Sequence, residues 1–85
     1  MMRYEVKTRL SPAEALERAI GHFGPQGVGL EITDQSQACL IFQGGGGHVA
    51  VTACPGENPR DKTRVELETR EWDYAVRKFM ADVHS

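Results

Sequence analysis

Four consecutive glycines, Gly44–Gly47, stand between two alternating apolar stretches in "ACLIFQGGGGHVAVTAC". No other feature constrains the fold of this chain as strongly. With the glycines as a symmetric four-residue loop, Gln43 faces His48, Phe42 faces Val49, Leu40 faces Val51 and Ala38 faces Ala53. Every pair after the first is then apolar and on one face. Side chains in a strand alternate with a period of two, so a slip of one residue would mix apolar and polar positions. The stretch reads as a β-hairpin. A phosphate-binding loop is the competing interpretation, but it needs a helix N-terminus after the glycines and a Lys-Ser or Lys-Thr pair. "HVAVTAC" is alternating and β-branched instead. A tight turn needs only one or two residues at positive φ. The surplus of glycine points to a mobile flap, to close approach by a ligand or second chain, or to simple tolerance of glycine in a loop.

The same periodicities organise the rest of the chain. "MRYEVKTRL" puts Tyr4, Val6, Thr8 and Leu10 on one parity and Arg3, Glu5, Lys7 and Arg9 on the other, a strand with one buried and one wet face. "KTRVELETR" does likewise, with Thr63, Val65, Leu67 and Thr69 inward, and "GVGLEIT" offers Val28, Leu30 and Ile32. Ser11, Pro12 and Glu14 form a helix start with a capping box. Leu16, Ala19, Ile20 and Phe23 share a helical face, with His22 on the polar side, and Gly24 and Pro25 end the helix. In a second helix Trp72, Val76, Phe79 and Val83 recur at helical spacing, and Asp73–Arg77 and Lys78–Asp82 are spaced for ion pairs. "PGENPRD" is a polar loop. The order reads β-α-β-β-β-α over a single α+β domain, residues 1–85. It implies a four-stranded antiparallel sheet with two helices packed on one face.

That order, with a strand running into "SPAEALERA" and a long helix at the end, resembles the helix-grip superfamily of START domains, Bet v 1-like proteins and polyketide cyclases (SRPBCC). The resemblance covers the order of elements along the whole chain, and the strand into "SPAE" is its only local motif. It implies a sheet wrapped against the last helix, an apolar ligand between them, and pairing of the first strand with the last. Opposed charges would suit that pairing, with Glu5, Lys7 and Arg9 against Arg70, Glu68 and Glu66. The chain is shorter than members of that superfamily, and no catalytic residue carries over.

Charge and composition exclude several classes of partner. The net charge of −2 comes with Lys and Arg interleaved among Asp and Glu, so no nucleic-acid partner is expected. No apolar run approaches the ~20 residues that cross a bilayer, so no membrane partner is expected. Two cysteines are too few for a disulfide scaffold, which suggests reduced thiols in the cytoplasm. Cys39 and Cys54 share a face of the hairpin, but His48 lies about 20 Å along the strand from Cys54, so the three do not converge on a metal. No metal or cofactor is expected. Glu66, Glu68, Glu71 and Asp73 alternate with arginines and read as solvated ion pairs rather than an acid–base pair.

The outer face of the hairpin is the unusual surface. Ile41 opposite Ala50 and Cys39 opposite Thr52 form a weakly apolar stripe between charged strands. A sheet face that meets only water is expected to be polar. Ile41, Ala50, Thr52 and the loop Gly44, Gly45, Gly46 and Gly47 are therefore candidates for an interface or flap. Trp72, Val76 and Phe79 are candidates for binding a small apolar molecule. The expectation is a non-enzymatic binding module that self-associates as a homodimer and takes a small apolar molecule or a protein partner. The alternative is a small polyketide-cyclase-like enzyme, for which the inward polar groups are Tyr4, Thr8, Thr63 and Thr69.

Overall fold

The computed structural model describes residues 2–56 and 62–84. The polar loop expected from 55 to 61 lies outside the described residues from 57 onward. The element order is β1 (Met2–Thr8), α1 (Pro12–Phe23), β2 (Glu31–Gln35), β3 (Cys39–Gly44), β4 (Gly47–Cys54), β5 (Thr63–Thr69) and α2 (Asp73–Val83). All strands pair antiparallel in one sheet of order β1-β5-β4-β3-β2. The sheet thus has five strands, not the four expected. β2 and β3 pair with each other across the turn that follows Gln35, β3 and β4 pair across the glycines, and β5 follows, so four strands rather than three lie between the helices. The first strand pairs with the last, and two helices cover one face.

Capping chemistry starts α1 as expected. The Ser11 hydroxyl accepts from the Glu14 N–H, and the Glu14 carboxylate accepts from the Ser11 N–H at 3.0 Å. Those bonds hold the Glu14 carboxyl below its ordinary pKa, the backbone bond at Ser11 contributing most. Ala15, Leu16, Ala19 and Phe23 bury the inner face of this helix. Phe23, Phe42 and Phe79 meet at the centre of the core, with Phe23 5.5 Å from Phe42 and 5.3 Å from Phe79. His22 departs from the polar side assigned to it. Its Nε2 lies 2.9 Å from the Ala75 carbonyl, and its ring packs on Phe79, because α2 lies against that flank of α1. The same adjacency gives Asp82 to Arg18 at 3.7 Å rather than to Lys78, which sits over the Tyr74 ring. Asp73 and Arg77 pair as spaced, at 3.2 Å.

The hairpin register is the one the apolar pattern demands, from Cys39 opposite Thr52 to Gln43 opposite His48. Two details differ. Gly44 and Gly47 pair with each other, so the loop is Gly45–Gly46 alone. Ala38 falls just outside β3 and is exposed, although its carbonyl still accepts from the Ala53 N–H at 2.8 Å.

The β1–β5 register also differs from the charge-matched one. Arg3 faces Glu68, Glu5 faces Glu66 and Lys7 faces Arg64, so two rungs of the ladder carry like charges. The buried side decides it. In this register Val6 meets Val65 and Tyr4 meets Leu67, with Val6, Val65 and Leu67 all buried. The charge-matched register would set Val6 against Thr69. Burying an aliphatic pair outweighs repulsion between exposed charges, because each apolar side chain is worth about 1.5–3 kcal/mol and each exposed pair less than about 1 kcal/mol.

Candidate functional site

Because both helices lie on one side, strand parity leaves the other side of the sheet uncovered. Reading the ladders across β1, β5, β4 and β3 gives successive rungs on that face. The first is Arg3–Glu68–Ala50–Ile41, and the second is Glu5–Glu66–Thr52–Cys39. The third is Lys7–Arg64–Cys54. The face therefore divides along its strands. The β1–β5 half is charged at every position, and the β4–β3 half carries no charge on these rungs. Cys39, Ile41, Ala50, Thr52 and Cys54 are half-buried although no helix lies over them. Two of them, Ala50 and Thr52, line an open trough of about 430 Å³ together with Arg3, Glu5, Glu66 and Glu68.

Ion pairs neutralise only part of the charged half. Arg3 reaches Glu68 at 3.3 Å, and Arg64 reaches Glu66 at 3.8 Å. Arg64 is held even more firmly protonated than a free arginine. The Cys54 sulfur accepting from it contributes most, followed by the negative field of Glu66. On the uncharged half the Thr52 hydroxyl donates to the Cys39 sulfur at 3.7 Å, and both cysteines are free.

The glycine turn and Trp72 form a second structure, at the end of the β3–β4 hairpin. Gly45 and Gly46 have φ of 58° and 82°, the pair of positive values that a two-residue hairpin turn needs. Space explains the other glycines of the run. A Cβ on Gly44 would lie 2.8 Å from the Leu30 side chain, one on Gly45 2.8 Å from the Trp72 ring, and one on Gly47 2.8 Å from the Glu71 Cβ. The Trp72 indole N–H donates to the Gly44 carbonyl at 3.1 Å. Close approach by the chain itself thus accounts for the glycines. Beyond the turn is a shallow hollow of about 580 Å³ bordered by Glu31, Gln43, His48, Arg70 and Glu71.

The residues proposed from sequence for an apolar ligand lie elsewhere. Val76 and Phe79 are wholly buried in the core, and Trp72 is half-buried at the N-cap of α2. Neither hollow described above is lined by any of the three. The inward polar groups fare differently from one another. The buried Thr69 hydroxyl donates to the His48 carbonyl at 2.8 Å and accepts from the Trp72 N–H at 3.0 Å. Thr8 accepts from the Leu10 N–H. The Tyr4 hydroxyl and one Asp73 carboxylate oxygen are buried without a hydrogen-bond partner. Sequence reasoning missed the like-charged rungs and the Arg64–Cys54 contact, because parity assigns a residue to a face but not to a rung.

Among the described residues no cluster of three or more His, Cys, Asp or Glu side chains could hold a metal ion, and no helix is long and apolar enough to cross a membrane. No protein-family model, no curated protein and no solved structure matches the chain.

Proposed function

We propose that the protein is a binding module rather than an enzyme, that the uncovered face of its sheet is the working surface, and that the occupant is a second copy of the chain. The observation that carries this is the division of that face. Uncharged side chains at Cys39, Ile41, Ala50 and Thr52 adjoin a charged half in which an internally paired rung, Arg3–Glu68, is followed by an acidic and then a basic one. A face built only for water has no use for the uncharged half, and a face with both signs of charge can complement itself. The β2 edge of the sheet is less suited to pairing. β2 is five residues long, with a register shift between Ile32 and Asp34, and such irregular short edges resist added strands.

The area sets the size class of the interface. Four strands about 4.8 Å apart and seven residues at about 3.4 Å give a footprint of roughly 450 Å² per protomer. Roughly 900 Å² in total is at the low end for specific association, so a dimer held by this face should dissociate in the micromolar range. Sedimentation velocity from about 1 to 200 µM tests it, a range set to bracket a small interface. The expected result is a concentration-dependent shift from monomer to dimer. The Thr52→Lys variant can still pair its ammonium with Glu66 in the monomer, and it should abolish the shift. A wild-type chain that stays monomeric throughout the range overturns the proposal.

A further inference from the structure

The β1 edge of the sheet is open and regular. Among the described residues β1 pairs with β5 alone, through seven residues without a register shift. Hydrogen-bonding parity passes from strand to strand through the registers. The Ala53 N–H bonds the Ala38 carbonyl, so Ala53 and alternate residues of β4 turn their backbone groups toward β3. Thr52 and its alternates turn theirs toward Glu66 of β5, which leaves Val65 and Leu67 to bond Val6 and Tyr4 of β1. Arg3, Glu5 and Lys7 therefore present their N–H and C=O groups at the open edge. A regular edge of this kind is a template for a further strand.

The charges along this edge say which strand fits it. Glu5 lies across from Glu66 and Lys7 across from Arg64, so their direct partners on β5 carry the same sign. An opposite charge directly across from either must come from the open side. A second copy does not supply it in full overlap. Antiparallel pairing of two β1 strands along their whole length sets Glu5 on Glu5 and Arg3 on Lys7. A shift of two residues restores opposite signs but pairs only Glu5 and Lys7 of the three edge residues. The inward side of the edge is apolar. Tyr4 is half-buried there, and its hydroxyl is buried without a partner. On α2, Asp82 turns to Arg18 of α1 while Val76 and Val83 turn to the core, which puts the half-buried Met80 on the flank over β1. We infer that β1 receives an extended segment of a different protein as a sixth, antiparallel strand. That segment carries acidic residues across from Arg3 and Lys7, a basic residue across from Glu5, and apolar residues across from Tyr4 and Val6. Two backbone bonds form at each of the three edge residues. The added strand extends the uncovered face without covering it, so the inference is independent of the self-association proposed above.

A synthetic peptide of sequence TEVKVET supplies that pattern, and TKVEVKT inverts its charges. In NMR of the isotope-labelled wild-type protein, TEVKVET should shift the amide signals of Arg3, Glu5 and Lys7 and slow their exchange with solvent. TKVEVKT should bind at least about tenfold more weakly, since like charges then face each other. A chain with Glu5→Lys and Lys7→Glu gains opposite signs across from Glu66 and Arg64, so it should fold. It should also reverse the preference, because two of the three edge positions then suit TKVEVKT. If neither peptide slows those three amides, or both do so equally, the inference is wrong. Slowing that rises with protein concentration and needs no peptide would place a second copy on the edge, and it would equally overturn the inference. A face-to-face dimer leaves these amides unbonded, so failure of the self-association is seen separately, in the sedimentation of wild type.

Discussion

Gly45→Asn separates the two reasons for glycine in the turn. It creates Asn-Gly, the pair most favoured in two-residue hairpin loops, because Asn tolerates the positive φ of the first position. Gly45 sits at φ 58°, well suited to Asn. In a free hairpin the change should be neutral or should stabilise by up to about 1 kcal/mol, through reduced freedom of the unfolded chain. Here the new Cβ would lie 2.8 Å from Cζ2 of Trp72, against 3.4 Å for ordinary contact. The indole cannot retreat freely, because its N–H is bonded to the Gly44 carbonyl at 3.1 Å. Overpacking of this kind costs about 1–3 kcal/mol, so a net loss is expected. Each kcal/mol lowers Tm by about 4–8 °C in a domain of this size. Urea unfolding followed by circular dichroism measures the loss, and Trp72, the sole tryptophan, reports the local change by fluorescence. In a Trp72→Leu background the same substitution should become neutral or stabilising. A Gly45→Asn protein at least as stable as wild type, with Trp72 emission unchanged, would refute the packing argument.

Further expectations follow from individual contacts. Tyr4→Phe removes a buried hydroxyl with no partner and should leave stability unchanged or raise it by about 1 kcal/mol in urea unfolding, whereas a clear loss would reveal a bond to that oxygen. Thr69→Val removes the hydroxyl that serves both the His48 carbonyl and the Trp72 N–H. It should cost about 1–3 kcal/mol and loosen the Trp72 environment seen by fluorescence. Ser11→Ala should cost about 1 kcal/mol as a lost cap and should move the Glu14 carboxyl only part of the way back toward its ordinary pKa in an NMR titration, because the backbone N–H at position 11 still donates to it. The sign follows from that lowered pKa. The contribution of the ionised Glu14 carboxylate is fully present above the ordinary glutamate pKa and fades as the pH falls through the lowered one, so the gap between wild type and Ser11→Ala should narrow in acid without closing, since the bond from the Glu14 N–H to the Ser11 hydroxyl does not titrate.

Local pattern carried most of the secondary structure. The period of two in Arg3–Thr8 and Thr63–Thr69 marks strands with one wet face, and Ser11, Pro12 and Glu14 mark a helix start within a few residues of chain. Mirrored apolar flanks gave the hairpin its register, because a slip there would expose the apolar side chains of one face. What tertiary structure decided were relations between segments distant in sequence. The β1–β5 register was settled by aliphatic pairs inside the sheet, against the charge matching on its surface. His22 left the polar side of its helix because α2 arrived beside it, and the glycine run was explained only when Leu30, Glu71 and Trp72 came to pack against it. The sequence determined which residues share the uncovered face, since parity is local. It did not determine which of those residues lie on a common rung, because strand order and register depend on packing in the core.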